Sequence, residues 1–132
     1  MLNYTKKFRL DDLTAFVVGG SGLIGKEICN AIVSAGGRTI ILDKIKYQIN
    51  KSKNEDSSLI WRMFDCSKLE NLETQFIKQV KEFGIPDVFI NCSYPRTKDW
   101  SNNSFKNITL NSFKENINIH MNSYAWLARL AA

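Results

Sequence analysis

A glycine-rich stretch at residues 16–28 has the residue types and the spacing needed to bind a phosphate group. Gly20, Gly22 and Gly25 match the pattern G-x-G-x-x-G between a short apolar run and a helical pattern. Glycine there permits a sharp turn, a close approach to a pyrophosphate, and tight packing of helix on strand. The following helix directs its free N–H groups and positive dipole end at the phosphates. The stretch predicts a dinucleotide-binding turn, with a purely structural turn as the alternative. The candidate contact residues are Gly19, Gly20, Ser21, Gly22, Leu23, Ile24 and Gly25.

A carboxylate after the second apolar run could select the dinucleotide. Asp43 stands 18 positions after Gly25, at the end of that run. It can accept hydrogen bonds from both ribose hydroxyls of an adenosine and would repel a 2′-phosphate, which favours NAD over NADP. Lys44, a further candidate contact, and Lys46 are close enough to weaken this preference. The alternative for Asp43 is an ordinary loop residue at a strand end.

Two later strand ends carry further polar candidates. Asp65, with the Cys66 backbone beside it, could accept a hydrogen bond from an adenine amino group or could cap the next helix. Asn91 could brace the turn after the fourth strand, where the backbone of Cys92 and Ser93 could contact a cofactor ribose. Two residues of the next loop could face a substrate or have a plain loop role: Tyr94 and Arg96.

The elements that must position these residues alternate between short apolar runs and amphipathic runs. This alternation predicts a parallel sheet with helices on both sides, and right-handed crossovers favour a doubly wound, Rossmann-type sheet with strand order 3-2-1-4. The predicted strands are Thr14–Gly19, Thr39–Leu42, Leu59–Phe64 and Val88–Ile90. The predicted helices cover 23–35, 69–83 and the stretch from Thr109 or Asn111 to the end, with a short helix or loop at 45–49.

The last predicted helix is apolar on nearly all sides. Phe113, Ile117, Met121 and Tyr124 fall on one side, and other large apolar residues fall on another. Such a helix requires burial on more than one face. We expect one face to pack on the sheet and the other to meet a partner subunit or further parts of the chain, which predicts a homo-oligomer formed through this helix.

Composition restricts the functional class. The 132 residues allow one domain, and the net charge of +5 comes from scattered lysines without the basic, aromatic-rich stripe typical of nucleic-acid binding. An odd count of three cysteines without a C-x-x-C indicates reduced thiols in the cytoplasm, and the one histidine, His120, cannot form a histidine-based metal site by itself, so we expect no metal. Neither a membrane-length apolar run nor a signal-peptide pattern occurs. We therefore expect a cytoplasmic protein that binds a small molecule and contacts neither nucleic acid nor membrane.

Taken in order, these motifs resemble the short-chain dehydrogenase/reductase family over residues 10–132. Gly19, Gly22 and Gly25 fit its T-G-x-x-G-x-x-G signature, with Val18 replacing the threonine. Asp65 looks like the family's adenine-contacting aspartate. The stretch 91–94 looks like its N-N-A-G motif with three positions changed, and N-x-x-Y-P-R is closer to a subgroup tied to flagellin modification and nonulosonic-acid sugars. Asn118 matches the helix asparagine of the family's Asn-Ser-Tyr-Lys tetrad.

The resemblance implies an NAD-dependent oxidoreductase that interconverts an alcohol and a ketone, with a sugar-derived substrate as one option. The family's catalytic serine lies on a fifth strand and its Tyr-x-x-x-Lys on the next helix, and this sequence ends before both. Tyr124 is followed at the fourth position by Ala128, so it looks like a core residue. We expect the N-terminal half of a longer reductase, inactive as given, in which Asn118 is the one tetrad residue present. The alternatives are a non-catalytic dinucleotide-binding or regulatory module and, less favoured, a basic nucleic-acid-binding domain.

Overall fold

The strands form one parallel sheet in the order β3-β2-β1-β4, in a computed structural model that describes residues 4–47 and 58–132. The strands are β1 (Thr14–Val18), β2 (Arg38–Asp43), β3 (Leu59–Met63) and β4 (Val88–Asn91). All three pairings are parallel: Phe16 lies opposite Ile40 and Phe89, and Ile40 lies opposite Ile60. The predicted α/β fold and the strand order 3-2-1-4 are confirmed.

The two central strands carry the core because their apolar residues are continuous rather than alternating. Phe16–Val18 of β1 and Ile40–Leu42 of β2 are all buried. A strand that is covered on both faces needs apolar side chains on both, which is why a parallel sheet reads as an unbroken apolar run. This continuity fixes the carboxyl ends of β1 and β2 side by side, where the candidate turn and Asp43 begin.

Helix α1 (Leu23–Ser34) belongs to the same compact unit as the sheet. Its buried residues include Cys29 and Ile32, which pack in one cluster with Val17 and Ile41 of the central strands. The spacing of these helix residues places them on one face. The helix is therefore held on the sheet by that face, and its first turn is fixed next to the glycine-rich turn.

The second compact unit consists of Asp65–Glu82 and Tyr94–Ala132. It contains α2 (Leu72–Phe83) apart from its last residue, and α3 (Leu110–Ala131). One turn of 3-10 helix, Leu69–Asn71, precedes α2, so the predicted helix over 69–83 starts in a tighter form. Thr109 rather than Asn111 caps α3, since its hydroxyl accepts a hydrogen bond of 3.2 Å from the Ser112 N–H.

The sequence indicated two apolar sides of α3 and left open which of them is buried. Phe113 is 47% exposed and Met121 is 66% exposed. The buried positions are Ser112, Asn116, Ser123 and Leu127, of which three are polar. The preceding loop hydrogen-bonds Ser112 and Asn116, and the Ser123 hydroxyl donates to the His120 carbonyl oxygen of the same helix. Polar positions can therefore be buried while Phe113 and Met121 stay exposed.

Two further expectations concern local structure. Of the short helix or loop expected at 45–49, residues 45–47 form a bend and coil, and residues 48 and 49 lie outside the described residues. Among the described helices, none combines the length and apolar character needed to cross a bilayer.

Candidate functional site

The glycine-rich turn leaves β1 through a conformation that only glycine adopts easily. Gly19 has φ +76°, and its N–H donates to the Leu42 carbonyl oxygen at 2.8 Å. A Cβ on Gly19 would lie 2.6 Å from the Ser93 nitrogen, so the turn touches the backbone that follows β4. The ends of β1, β2 and β4 therefore meet at this turn.

The start of α1 leaves backbone donors without a helical partner. Gly22 is the N-cap, and the first helical hydrogen bond runs from the Lys26 N–H to its carbonyl oxygen at 2.9 Å. The N–H groups before Lys26 have no intrahelical acceptor, and Gly22 has no side chain to cap them. The side chains that flank these N–H groups, Leu23 and Ile24, are 92% and 72% exposed. These amide groups lie at the positive end of a helix dipole, beside open space, since a Cβ on Gly22 would have one neighbour within 4 Å. We call this open, amide-lined surface between Gly19 and Gly25 the hollow.

Glycine is needed for different reasons at positions 22 and 25, the two positions next to this hollow. A Cβ on Gly25 would lie 2.2 Å from the Gly19 carbonyl oxygen, because α1 packs directly on the turn. A Cβ on Gly22 would have one neighbour within 4 Å, that same oxygen at 3.3 Å. The protein's own packing thus demands glycine at 25, whereas at 22 a side chain would mainly fill the open hollow.

Asp43 lies at the end of β2 with its carboxylate directed at the turn. One carboxylate oxygen accepts from the Ser21 N–H at 3.0 Å and the other from the Ile45 N–H at 2.9 Å. Each oxygen keeps acceptor capacity, because an ionised carboxylate offers about four lone-pair sites. Asp43 is half-buried, and Lys44 beside it is exposed. The structure therefore brings Asp43 to the turn, where it braces Ser21 and remains able to accept from a ligand hydroxyl.

The turn after β4 is braced by Asn91, as the sequence suggested. The Asn91 side-chain oxygen accepts from the Ser93 N–H at 3.0 Å and from its hydroxyl at 2.6 Å. The Cys92 N–H continues the ladder to the Val18 carbonyl oxygen at 2.8 Å. Burial raises the pKa of the Cys92 thiol. This segment is thus a rigid backbone wall against Gly19, with its thiol kept protonated.

Asp65 and Cys66 belong to the second compact unit. One Asp65 carboxylate oxygen accepts from the Ser67 N–H at 3.0 Å and from its hydroxyl at 2.6 Å, which closes a short turn. Gln75 of α2 holds the Asp65 backbone by accepting from its N–H at 2.8 Å. The N-cap residue of the 3-10 turn is Lys68. The Asp65 carboxylate therefore stabilises the turn that precedes the helix and does not cap the helix. Its contact with adenine stays a prediction.

Asn118 is exposed on α3, where its side-chain oxygen accepts from Asn122. The buried asparagine of this helix is Asn116, which is 5% exposed and which the sequence did not single out. Its side chain accepts from the Thr97 N–H at 3.2 Å and donates to the Thr97 hydroxyl at 2.7 Å. Asn116 therefore fixes the loop after β4 to α3, and the catalytic role given to Asn118 stays a prediction.

Tyr94 and Arg96 are both exposed in that loop. The Tyr94 ring lies 4.5 Å from the His120 ring and 5.5 Å from that of Trp100, centroid to centroid. Tyr94 is followed four positions later by Lys98, a spacing that resembles Tyr-x-x-x-Lys. The stretch is not helical, so the spacing does not place the two side chains on a common face.

The same spacing occurs from Tyr47 to position 51. The Tyr47 hydroxyl donates to the side-chain oxygen of Asn30 on α1 at 3.3 Å, and position 51 lies outside the described residues. Within residues 4–47 and 58–132, no group of three metal-ligating side chains comes together. The groups assembled at the sheet edge are thus suited to binding through backbone amides and one carboxylate.

Comparison with known proteins places this geometry in a family. The family model of short chain dehydrogenases matches residues 13–132. Post-translational flagellin modification protein A of Campylobacter coli is 26% identical over 120 residues, which cover 87% of this chain and 47% of that protein.

Two solved structures share the fold. A short chain dehydrogenase from Leptospira borgpetersenii with bound NAD+ is 23% identical with a TM-score of 0.75, over 99% of this chain and 48% of that one. A gluconate 5-dehydrogenase from Burkholderia cenocepacia, in complex with NADP and tartrate, is 15% identical with a TM-score of 0.77, over 98% of this chain and 51% of that one. The chain spans about half the length of these relatives. Its sequence match and the fold together show that the chain belongs to the short-chain dehydrogenase family.

Proposed function

We propose that this chain binds NAD at the carboxyl edge of its sheet, as the cofactor-binding part of an oxidoreductase that interconverts an alcohol and a ketone. The observation that carries the proposal is the amide-lined hollow between Gly19 and Gly25. A diphosphate is the ligand group that best matches free N–H donors at a helix N-terminus next to a glycine turn. Family membership supports a nicotinamide dinucleotide as the ligand.

The residues present fit such a cofactor. Position 22 is open toward the hollow, since a Cβ there would have a single close neighbour. Leu23 and Ile24 stand exposed beside the free amides and offer apolar contact to a ligand. The Cys92–Ser93 backbone forms the opposite wall against Gly19. We assign the pyrophosphate to this hollow and a ribose to the wall.

NAD is preferred over NADP in this proposal because of Asp43. Its carboxylate keeps acceptor capacity for ribose hydroxyls and would repel a 2′-phosphate. The related structures carry NAD+ in one case and NADP in the other, so the family as a whole accommodates both. Lys44 is exposed next to Asp43 and would soften the discrimination rather than reverse it.

When bound, the nicotinamide supplies hydride transfer. The residues of the described site bind and orient: backbone amides neutralise phosphate charge, Asp43 fixes the ribose, and Asn91 keeps the wall rigid. We propose that Asn118 contributes to catalysis, and that residues 1–132 alone bind the cofactor without appreciable turnover, because no described helix carries a Tyr-x-x-x-Lys pair. We further propose a sugar-derived substrate, in line with the N-x-x-Y-P-R run at 91–96 and with the gluconate 5-dehydrogenase that shares the fold.

A second candidate is a dinucleotide-binding or regulatory module without catalysis. It is favoured because the described groups at the turn are suited to binding a dinucleotide and include no tyrosine or lysine placed as a proton donor. Both candidates share the hollow. They differ in whether a substrate-dependent change in NADH absorbance occurs in the full-length protein that contains this chain.

The proposal also covers association and location. Phe113, Ile117 and Met121 leave an apolar side of α3 open, which supports a homo-oligomer formed through this helix. The three free cysteines support the cytoplasm as the location. We also propose that the chain forms one domain and binds a small-molecule ligand. Sedimentation equilibrium of the chain and of a Met121→Glu variant tests the interface, since a monomer in both would contradict it.

The experiment that tests the binding proposal is titration of the chain with NADH and NADPH, followed by nicotinamide fluorescence. We expect NADH to bind more tightly. Gly22→Val should abolish binding of both nucleotides, because the side chain fills the hollow, while circular dichroism stays that of the parent. Asp43→Ala should weaken the binding of NADH and reduce the preference for NADH over NADPH. Undiminished binding by Gly22→Val would remove the hollow from the site.

A further inference from the structure

One carbonyl oxygen next to the candidate site accepts two side-chain hydrogen bonds. The Ile45 oxygen receives the Ser21 hydroxyl at 2.7 Å and the indole N–H of Trp61 at 2.9 Å. Ser21 lies in the glycine-rich turn and Trp61 lies on β3, so the two donors reach this oxygen from separate elements. A main-chain oxygen held from two directions is fixed in position.

The same corner of the chain holds the Asp43 carboxylate. The Ile45 N–H and the Ser21 N–H donate to its two oxygens at 2.9 and 3.0 Å. Ser21 therefore contacts the corner twice, through its N–H to Asp43 and through its hydroxyl to Ile45. Trp61, on β3, donates the other hydrogen bond to the Ile45 oxygen. We call the set Ser21, Asp43, Ile45 and Trp61 the corner clamp.

We propose that Trp61 and Ser21 are positioning residues that, by holding the Ile45 carbonyl, aim the Asp43 carboxylate and so set the preference for an unphosphorylated ribose. The inference rests on the proposed cofactor site and adds the residues that determine its selectivity. The remaining acceptor sites of Asp43 are useful to a ribose only if the carboxylate is fixed, because ordering it on binding would cost side-chain entropy.

The clamp also determines where the neighbouring positive charges lie. Lys44 and Lys46 flank Ile45 in sequence and are exposed. When Ile45 is held in place, the charged group that faces the glycine-rich turn is the Asp43 carboxylate and not a lysine. Without the clamp, Lys44 or Lys46 can move toward a 2′-phosphate. Loss of the clamp should therefore weaken the binding of NADH and leave the binding of NADPH unchanged or stronger.

Trp61→Phe separates this role from simple packing. Trp61 is half-buried and packs against the cluster of Val17 and Ile41, and a phenyl ring keeps much of that contact while removing the N–H donor. Trp126→Phe, on the exposed side of α3, is the matched control for an indole-to-phenyl change. Ser21→Ala removes the second donor but keeps the backbone N–H to Asp43.

The experiment titrates the parent, Trp61→Phe, Ser21→Ala, Trp126→Phe, and Trp61→Phe combined with Asp43→Ala, each with NADH and NADPH. We expect Trp61→Phe and Ser21→Ala each to weaken NADH by about fivefold and NADPH by less than about twofold, the size of one net hydrogen bond. In the Asp43→Ala background, Trp61→Phe should have almost no further effect, since its influence passes through that carboxylate. Equal weakening of both nucleotides, full additivity with Asp43→Ala, or no effect would overturn the proposal.

A measurement without nucleotide distinguishes the two ways of failing. Hydrogen exchange of the Trp61 indole N–H, assigned by NMR from its loss in Trp61→Phe, should be at least about tenfold slower than in the urea-unfolded chain, and faster again in Ser21→Ala. An unprotected indole in a chain that binds NADH would refute the clamp and leave the cofactor site intact. A protected indole in a chain that binds neither nucleotide would refute the cofactor site, and with it the selectivity role.

Discussion

Gly22 and Gly25 share one motif, but the structure predicts opposite consequences for adding a methyl group to each. At Gly25 the new Cβ would lie 2.2 Å from the Gly19 oxygen and 2.7 Å from the Gly20 Cα. Both are backbone atoms of the turn, so relief requires α1 to move away from β1. At Gly22 the new Cβ would meet only the Gly19 oxygen, at 3.3 Å, with φ at −74°, which alanine adopts freely.

The size of the difference follows from these contacts. Relieving an overlap of more than about 1 Å in a tightly packed region costs about 3 kcal/mol. For a domain of this length that corresponds to a fall in Tm of about 10 °C. Gly22→Ala should change the free energy of unfolding by less than about 1 kcal/mol, because the smaller clash is offset by reduced freedom of the unfolded chain. Its methyl group should nevertheless weaken NADH at least about tenfold by narrowing the hollow.

Thermal and urea unfolding followed by circular dichroism, together with NADH titration, measure both effects. The expected result is a stable Gly22→Ala that binds poorly and an unstable Gly25→Ala. Equal Tm values for the two variants would refute the packing argument. Unchanged NADH affinity in Gly22→Ala, with its fold intact, would refute the assignment of the hollow to the cofactor.

Three further outcomes follow from the polar groups and thiols. Asn116→Ala should lower the free energy of unfolding by about 3 kcal/mol, since it leaves the buried Thr97 N–H unpaired, whereas the exposed control Asn122→Ala should change it by a few tenths, about 0.3 kcal/mol, in urea titrations. Side-chain hydrogen bonds from Thr97, Asn103 and Ser112 lower the pKa of Asp99 to about 2. Its contribution to stability is present above pH 4 and is lost as the pH falls toward 2, so Asp99→Asn should flatten that part of the acid unfolding curve, and an unchanged slope would contradict it. Burial, and then the nearby Cys92 thiol, raises the pKa of Cys29 to about 12, so Cys29 should resist iodoacetamide at pH 8 until the chain is unfolded, as peptide mapping would show.

The fold could be predicted because its signals are local and repeated. Continuous apolar runs such as Ile40–Leu42 specify strands buried on both faces, and the glycine-rich turn specifies the first crossover. Where the sequence left alternatives open, physical causes decide between them. For the helix or loop expected at 45–49, the described residues 45–47 are loop, because the backbone of Ile45 is engaged on both sides, by Asp43 at its N–H and by Ser21 and Trp61 at its oxygen.

The site was predictable where backbone geometry defines it and not where side-chain partners do. The glycine spacing identified the turn, and the strand end identified Asp43. The importance of Trp61 and Asn116 depends on partners that are distant in sequence, and no periodicity encodes them. On α3 the sequence indicated two apolar sides without showing which is buried. Phe113 and Met121 are exposed, and the buried positions are mostly polar, with Ser112 and Asn116 held by loop contacts that the sequence does not display.

The pairing of β1 with β4 has a consequence for the order of events during folding. The Thr14 N–H donates to the carboxylate of Asp87, which lies 73 positions further along the chain. Contacts between residues so far apart in sequence form late, because the entropy of closing the long loop is lost before the contacts can stabilise the fold. The Cys92–Ser93 wall reaches Gly19 only when β4 has docked, so a nascent chain would complete the proposed nucleotide site only after Ser93 has left the ribosome. Nucleotide added during refolding should therefore slow unfolding and leave the folding rate unchanged, as stopped-flow measurements can show.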